Sequence, residues 1–445
     1  MNSIFAFVFV LGILIFVHEL GHFLMARRIG VRVLTFSLGF GPKILKMRRG
    51  DTEYCVSAIP LGGYVKMAGE NPEDTRTGAS DEFLSKTKWQ RFQVLVMGPL
   101  MNLALAVVVM AAVLYQGAPA PKYEQEPVVV GSFVPDPTTK QAAPAEAAGL
   151  EVGDRIVTVN GEPVDTWTKF HMAVMPKPNR PLLLGIDRGG RTRTVEVTPR
   201  ALGKFEVGDI GILPAVNPET TVVLENSPAR EVGLRVGDVV LGVNGKRPIE
   251  YERLIETIRA NEGKPIVFEI ARGSERHTLT ITPRKMEDLV RIGAQFSPYE
   301  LRRIEPGPLQ ALQLSLKQNW EWSRLIVKTL AGLFTRETNV KQLMGPVAIA
   351  QVSGSAAEAG WLELFGLMAM ISLNLGLLNL MPIPVLDGGH ILILALEGLS
   401  RKDFSMKVKE KMLLAGFVLL VTLMVTVIYN DLTRIAWIER IMPWR

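Results

Sequence analysis

Two histidines four residues apart, with a glutamate beside the first, end a run that is otherwise purely apolar. The stretch is His18-Glu19-Leu20-Gly21-His22, and Ile4 to Val17 before it holds no charged or strongly polar side chain. On an α-helix, residues four apart lie about 6 Å apart along the axis and share one face. Both imidazoles can therefore reach one tetrahedral zinc ion, while Glu19 stands where it can take a proton from water. Ionisable groups at membrane depth cost several kcal/mol unless they are paired or metal-bound. An apolar run thus makes a chance occurrence of this pattern much harder to sustain than a soluble helix would.

The charge pattern around the apolar runs sets a topology. Ile4 to Met25 is long enough to cross a hydrocarbon core of about 30 Å. Arg27, Arg28, Arg32, Lys43, Lys46, Arg48 and Arg49 follow it, with no acid before Asp51. By the positive-inside rule that loop is cytoplasmic, the N-terminus is outside, and the histidine pair sits near the cytoplasmic end of the helix. A secretory signal would need a basic start and a small-x-small cleavage site, and neither is present, so a retained helix is expected. Lys86, Lys88 and Arg91 precede a second span, Val94 to Tyr115, in which Pro99 is expected to kink the helix and Asn102 to face other helices. A third span, Leu364 to Ile383, carries Asn374 and Asn379. Basic residues from Arg401 to Lys411 make the next loop cytoplasmic, and Met412 to Tyr429 returns the C-terminus outside. The net charge of +6 gathers at the ends of apolar runs, which argues for a membrane and against nucleic acid. Cys55 is the single cysteine, excluding an intramolecular disulfide and a thiolate zinc cluster.

Between the first two spans, Val31 to Met67 alternates apolar and polar residues with breaks at glycine and proline, which predicts short β-hairpins. The segment Leu38-Gly39-Phe40-Gly41-Pro42 either dips into the bilayer or belongs to an ordinary cytoplasmic hairpin, and an exposed edge there could pair with an extended substrate. Asn71 to Ser85 reads as a polar loop. From Gln116 to about Pro298 the composition is that of a soluble region, with an internal repeat at a constant offset of 84 positions. Gly149-Leu150, Gly153-Asp154 and Asn160-Gly161 recur as Gly233-Leu234, Gly237-Asp238 and Asn244-Gly245. The repeat resembles the PDZ domain in the form common in bacterial envelope proteases. Such domains bind extended strands by β-augmentation, or here act as spacers. Leu309 to Phe334 has apolar residues at helical spacing, with Trp320 and Trp322, and predicts an amphipathic helix on the outer surface, with an ordinary soluble helix as the alternative.

A catalytic zinc takes three protein ligands and water, so His18 and His22 need a third partner. Of the five histidines, His171 and His277 fall in the soluble region. Asp387 and His390 remain, both at matching depth after the helix-breaking Pro382-Ile383-Pro384. Asp387 is the better ligand, presented from irregular backbone, and His390 is left to packing or to support of a ligand. Two rival readings use the same residues: a zinc-handling transporter, and a non-catalytic scaffold whose PDZ-like pair binds peptides.

The pentad in the first span, Gly39-Phe40-Gly41, Gly98-Pro99-x-x-Asn102, the tandem PDZ-like repeat and Asn379-x-x-Pro382-x-Pro384-x-Leu386-Asp387-Gly388 together resemble the site-2 protease family, closest to the bacterial regulator-of-sigma-E protease type. The resemblance implies a multi-pass α-helical membrane protein with four transmembrane helices, a membrane-associated β-hairpin region and two tandem PDZ-like α/β domains. It implies Zn2+ held by His18, His22 and Asp387, Glu19 as the catalytic base, and Asn379, with Asn374 assisting, on substrate backbone. It further implies a bacterial inner-membrane location, with both termini and the PDZ-like domains periplasmic. The substrate implied is a single-pass membrane protein of the anti-sigma factor type, trimmed beforehand on its periplasmic side, with remnant signal peptides as a second class. The expected divisions are 1–30 for the first span, 31–90 for the hairpin region and loop, and 91–116 for the second span. The PDZ-like domains occupy 117–205 and 206–298, and interfacial helices 299–360. The third span takes 361–398, a cytoplasmic loop 399–411, and the fourth span with an outer tail 412–445.

Overall fold

The computed structural model describes residues 3–433, apart from 71–77, 118, 137–138, 204, 248, 287–288, 304, 336–337 and 339. Most of the expected Asn71–Ser85 loop and the outer tail beyond Thr433 lie outside the described residues. The chain forms two compact units, residues 1–118 with 305–445, and residues 119–304.

In the first unit, helix α1 (Ser3–Arg28) carries the histidine pair. It is followed by strands β1 (Val33–Arg49) and β2 (Thr52–Met67), which pair antiparallel. Short hairpins are expected here, but the two strands are long and doubled over. Phe36 pairs with Val65 on one side and with Tyr54 on the other, while Met47 pairs with Tyr54 as well. The sheet therefore runs across four segments: 63–67, 33–38, 53–57 and 43–49. The folds fall at Gly39 and Gly41, with φ of 88° and 83°, and at Gly62, with φ of 140°, conformations that glycine alone adopts without steric penalty. Phe40, Ile44, Leu45, Met47, Val56 and Ile59 stand exposed on the far half, interleaved with basic residues.

Helix α2 (Lys88–Tyr115) starts at a capping box, in which the Thr87 hydroxyl accepts from Gln90 N and the Gln90 side chain accepts from Thr87 N. It runs through Pro99 as one helix. At Gly21 a Cβ would lie 2.5 Å from the Met97 carbonyl oxygen, so α1 and α2 approach almost backbone to backbone, as small residues permit inside membranes.

The second unit is built from the repeat. Strands β3 (Val128–Phe133), β4 (Arg155–Val159), β5 (Leu182–Arg188), β6 (Arg191–Val197) and β7 (Ile212–Pro214) form a sheet whose main path runs β7-β3-β4-β5-β6, all antiparallel. Helix α3 (Trp167–Val174) packs Trp167, Phe170 and Val174 into its core. The second copy places β8 (Glu219–Val223), β9 (Val239–Val243), β10 (Ile266–Arg272), β11 (Glu275–Ile281) and β12 (Ala294–Ser297) in the order β11-β10-β9-β8-β12. Helix α4 (Tyr251–Ala260) buries Leu254 and Ile258 against Phe268 and Ile270.

The repeated Gly-Asp and Asn-Gly pairs have the same task in both copies. Asn160 and Asn244 sit at φ of 52° and 51°, and each side-chain oxygen accepts from the opposing strand, from Leu183 N and Val267 N, at 2.9 Å. Asp154 and Asp238, each 1% exposed, accept bidentate bonds at 2.7 Å from Arg188 and Arg272, arginines that also hold the Gly149 and Gly233 carbonyls. Both arginines repeat at the same offset.

The chain then returns to the first unit through α5 (Pro308–Phe334), α6 (Pro346–Ala359), α7 (Trp361–Asn379), α8 (Asp387–Leu399) and α9 (Met406–Thr433). These helices refine three expectations. Helix α5 docks on the flank of α2, where Ser315 Oγ donates to the Val107 carbonyl at 2.7 Å. The break expected at Pro382-Ile383-Pro384 is present: α7 ends at Asn379 and a separate helix begins at Asp387, so residues 361–398 hold two helices. The fourth helix begins at Met406, taking Lys407, Lys409 and Lys411 into its first turns. Among the described residues, α1, α2, α7 and α9 are the four helices long and apolar enough to cross a membrane.

The Arg188 guanidinium holds the Asp154 carboxyl below its ordinary range. A carboxyl depressed in the folded state stabilises it above the unfolded pKa, and that stability is lost as pH falls through the folded one. Asp154→Asn is expected to speed amide hydrogen exchange of β4 and β5 by about tenfold at neutral pH while sparing β9 and β10. The gap from wild type should close below about pH 4.

Candidate metal centre

Three donor atoms converge from two parts of the chain remote in sequence. His18 Nε2 lies 3.2 Å, and His22 Nε2 3.5 Å, from Asp387 Oδ2, and the two Nε2 atoms are 3.2 Å apart. Both histidines are 9% exposed. This is the trio among the described residues whose donor atoms could hold a metal ion.

Each element presents its donor for a local reason. The histidines share a face of α1 through their four-residue spacing. Asp387 opens α8, and the two glycines after it let the chain double back: a Cβ at Gly388 would overlap the Met381 carbonyl, and one at Gly389 the Ile383 carbonyl. Val385, two residues before Asp387, stands at φ of 101°, a strained setting for a β-branched residue. Gly416 of α9 closes against Pro384, since any Cβ there would overlap the Pro384 carbonyl.

Helix α2 supplies the support. His22 Nδ1 donates to the Val94 carbonyl at 2.8 Å, which fixes the proton on Nδ1 and leaves the Nε2 lone pair free. Gly98 makes room for that imidazole, because a Cβ there would overlap His22 Nε2. Asn102, fully buried, lies beside His18, with its amide nitrogen 3.4 Å from His18 Nδ1. The main-chain oxygen of Asn102 accepts from Ser372 Oγ at 2.8 Å, tying α2 to α7.

The donor set fits zinc. A free Nε2 lone pair on His22, an imidazole on His18 and a carboxylate oxygen crowd one point, and such electron-rich atoms repel unless a cation or a proton lies among them. Two imidazoles and one carboxylate match a three-ligand zinc site that keeps a position for water. Glu19 interacts electrostatically with His22, His18 and Asp387. Its side chain lies against β2 at Gly63, where a Cβ would come 2.9 Å from Glu19 Cγ.

Of the residues singled out from sequence, His18, His22 and Asp387 come together, with Glu19 at their side. Asn374 and Asn379 are half-buried on the last turns of α7, and His390 is half-buried one turn into α8; none belongs to the trio. Sequence reasoning missed the Val94 carbonyl, for which a main-chain group leaves no signal. The purposes of Gly98 and Asn102 were also missed, although both stood out as interruptions of an apolar span.

A profile described as Peptidase family M50 matches residues 6–423. The chain is 34% identical to Protease RseP of Yersinia pestis, over 97% of this chain and 99% of that one. It is 33% identical to Regulator of sigma-E protease RseP of Salmonella typhimurium, over 97% and 98%. The solved PDZ domain of the SdrC-like protein from Listeria monocytogenes covers 19% of this chain and 90% of that one, at 17% identity and a TM-score of 0.18.

Gly98→Val should push His22 out of the trio while α2, whose ends are untouched, remains helical. The expected result is a zinc affinity about tenfold or more weaker, measured by chelator competition, with unchanged far-ultraviolet circular dichroism.

Proposed function

The chain belongs to peptidase family M50, the site-2 class of zinc metalloproteases, and from that premise we propose that it hydrolyses peptide bonds within the transmembrane segments of single-pass proteins. The proposal rests above all on one observation: His18, His22 and Asp387 meet beside Glu19 among helices of membrane-spanning character. In this reading His18, His22 and Asp387 hold zinc, Glu19 is the general base, and the protein resides in the bacterial inner membrane. The basic loops face the cytoplasm, which sets the site near the cytoplasmic side and the termini and residues 119–304 outside.

Zinc, when bound, supplies Lewis-acid polarisation of the scissile carbonyl and of the attacking water. Glu19 takes the proton of that water and passes it to the leaving amide nitrogen. The three ligands leave room for water because, among the described residues, three protein donors converge. A helical substrate must first unwind, since its peptide bonds are shielded, and β2 offers an unwound chain somewhere to go. Residues 63–65 pair with β1, and Gly63 lets that edge pass against Glu19. An extended substrate segment pairs along this edge, placing a carbonyl beside the base. Asn379, with Asn374 one turn and a half earlier, holds the substrate backbone from α7.

The exposed apolar far half of the β1–β2 sheet enters the bilayer interface. The two repeated units are PDZ-like domains; their shared strand order and turns support that reading, and they read or exclude the outer part of a substrate. The relatives' names, regulators of sigma-E, support an anti-sigma factor as substrate after trimming of its periplasmic part. Remnant signal peptides are a second class of the same chemistry, short apolar helices lacking a bulky outer domain.

The decisive assay uses a single-span reporter without its outer domain, in detergent micelles. Glu19→Gln should lower cleavage by a factor of about 100 or more while zinc stays bound, and retained cleavage would remove Glu19 from the base role. Replacing Pro382 and Pro384 with alanine relaxes the backbone before Asp387. Turnover should fall with zinc still present, and unchanged turnover counts against the loop as the support of Asp387.

A further inference from the structure

Asn102 presents a hydrogen-bonding mismatch. It is completely buried on α2, its side-chain oxygen has no hydrogen-bond partner, and its amide nitrogen faces His18 Nδ1 at 3.4 Å. His18 directs Nε2 at Asp387 Oδ2 and at His22 Nε2, so a ligating His18 carries its proton on Nδ1. A donor then faces a donor, while the acceptor of the same amide goes unused. The oxygen and nitrogen of an asparagine amide have nearly the same shape, and the hydrogen bonds around them decide which is which. Rotating the amide by half a turn sets Oδ1 against His18 Nδ1–H and gives the orphaned acceptor its donor.

We propose that Asn102 is the positioning residue of His18: its side-chain oxygen accepts the Nδ1 proton, locks the ring orientation and tautomer, and leaves Nε2 to zinc. Val94 already does this for His22 through its main-chain oxygen. Positions 94, 98 and 102 recur at intervals of four and share a face of α2. That face runs beside the histidine face of α1, offering in turn an acceptor for one ring, space for that ring, and an acceptor for the other. The Ser372 hydroxyl on the main-chain oxygen of Asn102 holds this turn of α2 against α7. The role rests on the reading of His18, His22 and Asp387 as zinc ligands.

The test measures the zinc dissociation constant of the full-length protein in detergent by chelator competition, for wild type, His22→Ala, Asn102→Leu and Asn102→Asp, with thermal midpoints as a control for folding. Asn102→Leu removes the acceptor and should weaken zinc binding 10- to 100-fold, the usual effect of losing a ligand's supporting hydrogen bond. Asn102→Asp keeps an acceptor in either orientation and should bind zinc within about threefold of wild type or more tightly, because a charged acceptor makes the stronger bond. If Asn102→Leu fails to fold, Asn102→Asp decides alone: with the amide in its opposite orientation, a carboxylate would oppose the Nδ1 lone pair, and zinc affinity would fall instead. Wild-type affinity in a folded Asn102→Leu variant, or an Asn102→Asp variant as weak as Asn102→Leu, overturns the positioning role while the ligand reading stands. Equal zinc binding by wild type and His22→Ala overturns the ligand reading, and the role of Asn102 with it.

Discussion

Three electron-rich atoms, two imidazole nitrogens and a carboxylate oxygen, are held at one point inside an apolar bundle, and the rest of the membrane unit is arranged to keep them there. Desolvated donors of this kind repel one another unless a cation or proton separates them. Holding them together before metal arrives calls for rigid support from other elements, and that support is visible on each side of the trio. Gly21 and Gly98 remove the side chains that would keep α1 and α2 apart, and Val94 and Asn102 then reach the two rings. On the Asp387 side, Gly388 and Gly389 allow the doubled chain, and Gly416 seats α9 on Pro384. Five glycines and a stretch of prolines thus fix the carboxylate and the imidazoles from opposite directions.

The same crowding accounts for the form of the β1–β2 sheet. A flat hairpin would present one edge to α1 and leave the other unsupported. Doubling it at glycines 39, 41 and 62 packs the near half on α1 through Phe36, Tyr54 and Val65, and sends the far half, with its exposed apolar side chains, away from the core. Gly63 then brings an edge strand to Glu19 without a side chain in between. Under the proposed function, with Glu19 as the base and an unwound substrate helix, an edge strand there would satisfy backbone groups that the bilayer cannot.

Residues 119–304 solve a different problem twice. Each copy buries one carboxylate, Asp154 or Asp238, beneath an arginine from a neighbouring strand, and sets an asparagine in left-handed backbone where two strands turn. Because both the aspartate and its arginine recur at the offset of 84, the pairs are part of the repeat.

Much of this was determined by the sequence alone, wherever the geometry is local. The four-residue spacing puts His18 and His22 on one helical face whatever the helix packs against, and hydropathy with flanking charge picks out four spans because the bilayer imposes a fixed length. The repeat announced itself by register, and Asp387 emerged because few ligands exist at the right depth. Tertiary structure decided what depends on contacts distant in the chain. The doubled hairpin and the docking of α5 on α2 are of this kind. So are the partners of the two imidazoles: Val94 acts through a main-chain oxygen that any residue would carry, and Asn102 matters only because α2 lies antiparallel to α1 in a register that sets it beside His18. A helix's own periodicity states which residues share a face; which groups that face meets is set by packing between helices, and only the folded chain contains it.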